Sequence, residues 1–182
     1  MEAEVLSKFL KKIGFDEESI EDILLFSNNE IDIKDLYNKV KYLTDIKCSA
    51  RVIRIIIEEN PLFFTTELED IEKVINYFIQ KGLQEYVSNI LEVCPEILSV
   101  QVGKIQKNEE ILKFLINEDK VKMLLRDRTE IFTYNNDYLA NRIRFFVENG
   151  LKDKIEKIII TRIEVFELEE DEIDLQELQE NL

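Results

Sequence analysis

The chain has 182 residues, 45% apolar and 35% charged, a balance that argues against a disordered polymer and suffices for a substantial core. Four glycines and two prolines are too few for the turns of many short strands, and the absence of histidine removes the commonest general base and a frequent metal ligand. The formal charge of −15 excludes a uniformly basic surface, yet it is unevenly spread: residues 1–30 hold eight acids against three bases, residues 164–182 hold nine acids and no base, and the rest is close to neutral.

Apolar residues at helical spacing predict the elements in chain order. A cap pair over 1–26 has helices at 2–13 and 17–26, turned at Gly14-Phe15, with Asp16 as the entry cap of the second. The stretch 27–60 opens with SNNEIDI at 27–33 and carries helices at 34–45 and 49–58. Within 61–94, helices at 67–81 and 84–93 meet at Gly82-Leu83, and Thr66 with Glu69 has the form of a capping box. Within 95–128 the helices are 101–116 and 118–126, with Ser99 as the entry cap. Within 129–162 they are 136–149 and 152–161, capped by Asn135 or Asn136 and turned at Gly150-Leu151. The last stretch, 163–182, reads as an acidic capping helix at 169–180 that sets Leu168, Ile173, Leu175, Leu178 and Leu182 among its charges.

These elements repeat. PLFF at 61–64, PEIL at 95–98, TEIF at 129–132 and IEVF at 163–166 begin 34 residues apart each time. The pairs Ile56-Ile57, Ile90-Leu91, Leu124-Leu125 and Ile158-Ile159 precede these markers at a fixed distance, and Ile71, Ile105, Leu139 and Ile173 follow at another, as the inward columns of a shorter and a longer helix. Pro61 and Pro95 bar the preceding helix from continuing, because the ring removes an amide donor and restricts the residue before it; Thr129 and Ile163 stand in the same places. One such pair cannot bury its apolar face alone, so neighbouring pairs must stack. The expected fold is all-α, an α-solenoid of about five helix-pair repeats in a single α-helical repeat domain over 1–182.

Recognisable catalytic or cofactor chemistry is not found. Neither GxxxxGK[ST] nor GxGxxG occurs, and ELEEDEIDLQE at 167–177 lacks the alternating ligands and central glycine of a calcium loop, so no catalytic residue, metal site or cofactor is expected. Cys48 and Cys94 read as buried structural thiols. No apolar run approaches the roughly 20 residues of a membrane span. MEAEVLSKFL carries two glutamates and no basic cluster, so the expectation is a cytoplasmic address without a signal or transit peptide.

YFIQKGLQEYVSNILEVCPEILSV at 77–100, with FFVENGLKDKIEKIIITRIEVF at 145–166 and FLKKIGFDEESIEDILLF at 9–26, resembles the repeat of the mitochondrial transcription termination factor (mTERF) family. The resemblance implies two antiparallel helices and a short 3₁₀ turn per repeat, with Pro61 and Pro95 as turn starts and Gly82 and Gly150 as helix breaks. It further implies stacking into a curved superhelix that binds double-stranded DNA or structured RNA along a basic concave side. The chain departs from that pattern at Thr129 and Ile163, in its length and in its acidity. The tetratricopeptide repeat shares the period but not the Trp, Gly, Tyr and Ala pattern.

Two functions follow as expectations. The first is a non-enzymatic protein-interaction or regulatory scaffold, whose acidic ends would speed encounter with a basic protein partner. The alternative is an mTERF-like nucleic-acid-binding protein of transcription or its termination. Residues 31–57 and 142–162 each net +3, and Lys39, Lys104, Lys107, Arg142 and Arg144 are the candidate phosphate contacts, with Tyr42, Tyr77 or Tyr138 available to stack on bases.

Overall fold

The computed structural model describes residues 2–30 and 32–181, and the side chains of residues 3–25 and 32–180. Leu182 and the Ile31 position of SNNEIDI lie outside the described residues. No described residue is in a strand. The α-helices are α1 (Glu2–Lys12), α2 (Glu17–Glu30), α3 (Ile33–Asp45), α4 (Ala50–Glu59), α5 (Leu68–Gln80), α6 (Val87–Val93), α7 (Val102–Lys113), α8 (Glu118–Asp127), α9 (Asn136–Glu148), α10 (Ile155–Thr161) and α11 (Leu175–Asn181). None is long and apolar enough to cross a membrane.

Each marker begins a 3₁₀ turn: Pro61–Phe64, Pro95–Ser99, Thr129–Phe132 and Ile163–Phe166. The entry to each is built alike. The amides of Asn60, Cys94, Arg128 and Arg162 close the preceding helix onto Ile56, Ile90, Leu124 and Ile158, and their carbonyls accept from the third residue of the turn, Phe63, Ile97, Ile131 or Val165. The third and fourth residues of every turn are buried, so a paired apolar side chain anchors the turn whether or not proline starts it. At Thr129 the Oγ1 donates to the Leu125 carbonyl at 2.9 Å, a bond proline cannot make.

The joints between the two helices of a repeat follow a second rule. Gly14, Gly82 and Gly150 have φ of 105°, 70° and 77°, the left-handed region where a Cβ is strained, and the next amide reaches back to Leu10, Phe78 or Phe146 to cap the longer helix. Lys47 adopts the same conformation at φ 70°, with the Cys48 amide bonded to the Leu43 carbonyl. In the third repeat no residue does so: the Leu115 and Ile116 amides share the Leu112 carbonyl, and the Asn117 side chain caps α8.

The described residues gather into two compact units, Met1–Ser99 and Val100–Leu182. In the first, α1 packs on α2 and α3, α3 on α4 and α5, α4 on α6, and α5 on the Pro95–Ser99 turn. Its core holds Leu6, Leu10, Leu36, Ile53, Phe63 and Phe78. In the second, α7 packs on α8, α9 and the Thr129–Phe132 turn, and α10 on the Ile163–Phe166 turn, around Ile105, Leu124, Phe132, Phe146 and Phe166. Burying a phenylalanine contributes about 1.5–3 kcal/mol, so these paired turn residues weigh heavily in each unit.

Several local expectations need correction. Thr66 and Glu69 form no capping box: α5 starts after Glu67 with no side-chain cap, and the Thr66 hydroxyl bonds instead to the Leu62 carbonyl and the Ser99 hydroxyl, at 2.8 and 3.0 Å. Ser99 is likewise not the cap of α7, because its hydroxyl is engaged with Asn60. The helices expected at 84–93 and 152–161 enter through 3₁₀ turns, Gln84–Tyr86 and Lys152–Lys154. The acidic stretch is a 3₁₀ turn, Glu170–Glu172, followed by the seven-residue α11, with Ile173 and Leu178 buried. Asp16 and Asn135 do cap α2 and α9, accepting from the Ser19 amide at 2.8 Å and from Asp137 and Tyr138.

Candidate nucleic-acid interface

A phosphate contact needs a cation that water can reach and that no internal acceptor already holds. Lys39 fails both conditions. It is the seventh residue of α3 and 1% exposed, and its Nζ donates to the carbonyls of Phe64 and Phe63 at 2.9 and 3.2 Å while pairing with Asp35 at 2.5 Å. Arg142, the seventh residue of α9, is 6% exposed. One Nη donates to the Tyr138 hydroxyl and the Leu168 carbonyl, and the guanidinium lies 5.5 and 5.9 Å from the Tyr138 and Phe145 ring centres. Both are structural cations rather than surface contacts.

Their roles share one cause. The last carbonyls of a short 3₁₀ turn have no partner within it, and buried carbonyls demand a donor. The seventh residue of the long helix supplies a donor at the turn or just past it: Lys39 to Phe63 and Phe64, Asn108 to Phe132 and, two residues past the turn, Tyr134 at 3.1 and 2.8 Å, and Arg142 to Leu168, also two residues past its turn. In α5 the seventh residue is Val74, and there Asn60 reaches the Pro95 carbonyl at 2.9 Å and the Ser99 hydroxyl at 3.0 Å. Sequence reading missed Asn60 and Asn108. The signal for Asn108 was its place in one column with Lys39 and Arg142, where Val74 is the apolar member. It was hidden because α3 starts 35 residues before α5, whereas α5, α7 and α9 start 34 apart.

The aromatic candidates are also partly withdrawn. Tyr77 is buried, Tyr42 is half-buried with its hydroxyl pushed up by burial, and the exposed Tyr138 ring supports Arg142 while its hydroxyl donates to the Phe166 carbonyl.

Lys104, Lys107 and Arg144 remain accessible, Lys104 partly so, and their side chains hold no ion pair or hydrogen bond among the described residues. They stand on α7 and α9, which pack together in the second unit. The Asn136 amide group ties the two helices by donating to the Lys104 carbonyl at 2.9 Å and the Asn108 side chain at 2.7 Å. Lys104 and Lys107, three residues apart, share one face of α7. This trio is the part of the expected interface that could meet phosphate.

Two other cations of 142–162 are engaged. Lys154 donates to the Gln179 carbonyl, and Arg162 pairs with Glu164 at 2.7 Å and Glu177 at 2.9 Å. The Arg162 hydrogen bond holds the Glu164 carboxyl below its ordinary value. Beside α9, a cleft of about 400 Å³ is lined by Tyr138, Asn141 and Arg142 on one side and Glu169, Glu170 and Asp171 on the other. Cys48 and Cys94 are buried and not joined in a disulfide, and burial pushes the Cys48 thiol up to about 11, which leaves it unreactive near neutrality. No group of three or more potential ligands among the described residues could hold a metal ion.

A family model described as mTERF matches residues 2–175. No curated protein matches the chain.

Proposed function

The chain belongs to the mTERF family, and from that premise we propose that it is a non-enzymatic helical-repeat protein that binds double-stranded DNA or structured RNA in transcription or its termination. The observation that carries this reading is the family match, which runs through every repeat. The exposed trio Lys104, Lys107 and Arg144 supports it, because three cations without internal partners stand on two packed helices. Contacts to about three phosphates give a slope of log affinity against log salt near −3, or roughly a 40-fold loss between about 50 and 200 mM salt.

The test is a salt series of duplex DNA and hairpin RNA titrations on the whole chain and on a Lys104→Ala, Lys107→Ala, Arg144→Ala variant. The wild type should bind with that slope, and the variant should bind weakly with a shallow one. Absence of binding in dilute buffer by wild type and charge variants alike would overturn the reading.

The charge of −15 favours a second reading, a scaffold for a basic protein partner. It would gain if the chain ignored duplexes and captured a cationic protein with an affinity insensitive to loss of the trio.

A further inference from the structure

The acidic segment that follows the Ile163–Phe166 turn has one property that composition alone does not reveal: it is bonded to the cations of its own unit. Arg142 donates to the Leu168 carbonyl, Lys154 to the Gln179 carbonyl, and Arg162 to the carboxylates of Glu164 and Glu177. Tyr138 and Tyr134 add bonds to Phe166 and Glu167, and Gln179 bonds back to the Asn149 carbonyl. Three of the six basic residues in 142–162 are therefore held by the segment.

Its remaining acids face outward. Glu170, Asp171 and Asp174 are exposed and pair with no cation among the described residues. Glu169, Glu170 and Asp171 line the cleft against Tyr138, Asn141 and Arg142. Arg144, the accessible cation of α9, lies three residues beyond Asn141, one helical turn from a residue that lines this cleft.

We propose that the segment 167–180 is an intramolecular competitor of nucleic-acid phosphate, occupying and screening the cationic side of the second unit until a polyanion displaces it. The proposal rests on the nucleic-acid reading above and names its regulation. The polar fastening at its far end suits a reversible contact: Arg162 and Glu177 are partly exposed, and such pairs exchange readily and weaken with salt, while the buried Ile173 and Leu178 seat the segment when no polyanion is bound. Tethering keeps the competing carboxylates at an effective concentration in the millimolar range, high enough to oppose a weak external ligand. The sign is also right, since the segment carries eight acids and no base against a stretch that nets +3.

The experiment compares the full wild-type chain with two variants of equal charge change. One carries Glu169→Gln, Glu170→Gln and Asp171→Asn. The other carries Glu18→Gln, Glu21→Gln and Glu59→Gln, at exposed positions of the first unit. The first should bind duplex at least about tenfold more tightly than wild type at low salt, with the gain fading as salt rises, while the second changes affinity less than about twofold. Hydrogen exchange supplies a second readout: amides of 175–180 should exchange faster when wild type is saturated with duplex. Equal affinities for both variants, or unchanged exchange on saturation, would overturn the competitor while leaving nucleic-acid binding intact. Failure of all three proteins to bind would remove the underlying reading as well.

Discussion

The Pro95–Ser99 turn of the first unit and the Ile163–Phe166 turn of the second have the same backbone and different keepers. At the former, a neutral Asn60 reaches the Pro95 carbonyl and the seventh residue of α5 is Val74. At the latter, Arg142 and Tyr138 reach the Leu168 and Phe166 carbonyls. Both turns thus take a side-chain donor, but at different carbonyls: the first residue of the former, and the fourth residue and one two positions past the end of the latter. Where the donor is charged, its charge says nothing about what the outer surface binds.

That contrast can be attacked directly. The largest effect is expected from Lys39→Ala, which strips the Phe63 and Phe64 carbonyls and Asp35 of a buried partner and should lower stability by about 3 kcal/mol in denaturant unfolding. Asn60→Ala and Asn108→Ala, which remove neutral donors, should cost about 1–3 kcal/mol each. If all three cost less than about 0.5 kcal/mol, the donor column is decoration. Lys107→Ala, exposed and unbonded, should stay within about 0.5 kcal/mol while weakening duplex binding.

The helix joints offer a smaller test. Gly82→Ala should lose about 1–2 kcal/mol and Lys47→Gly should gain up to about 1 kcal/mol, since both positions are left-handed and only one carries glycine. The smallest effect concerns pH. Because Arg162 lowers the Glu164 pKa, their contact stabilises the fold above the usual carboxylate range and is lost as pH falls through the lowered value. The Glu164 carboxyl, followed by NMR, should therefore titrate with a midpoint below about 4.5, and an Arg162→Gln variant should raise that midpoint toward the ordinary value.

Much of the fold was legible because burial repeats faithfully. The columns at Ile56-Ile57 through Ile158-Ile159 are buried as read, and turns at Thr129 and Ile163 were identifiable without proline because their third and fourth residues stay apolar. The left-handed Lys47 was not, since no glycine marks it. The candidate interface was read less well. A charged residue at helical spacing reads as solvent-facing by default, so the sequence offers Lys39 and Arg142 as contacts although each is bonded to carbonyls inside its own unit. Lys107 and Arg144 are exposed and Lys104 partly so.

The turn bonds also bear on how such a chain can change its length. Asn108 in one repeat closes the turn that opens the next, and the Arg142 bond to Leu168 does the same one period later. Excising a stretch such as 129–162 would present Asn108 with the carbonyls of Phe166 and Leu168 in place of Phe132 and Tyr134, each 34 positions on. Whole periods can be lost or copied with every closure re-formed, whereas removing a handful of residues would strand a donor and its acceptors at once. Evolution by whole units is therefore the path of least damage for this polypeptide.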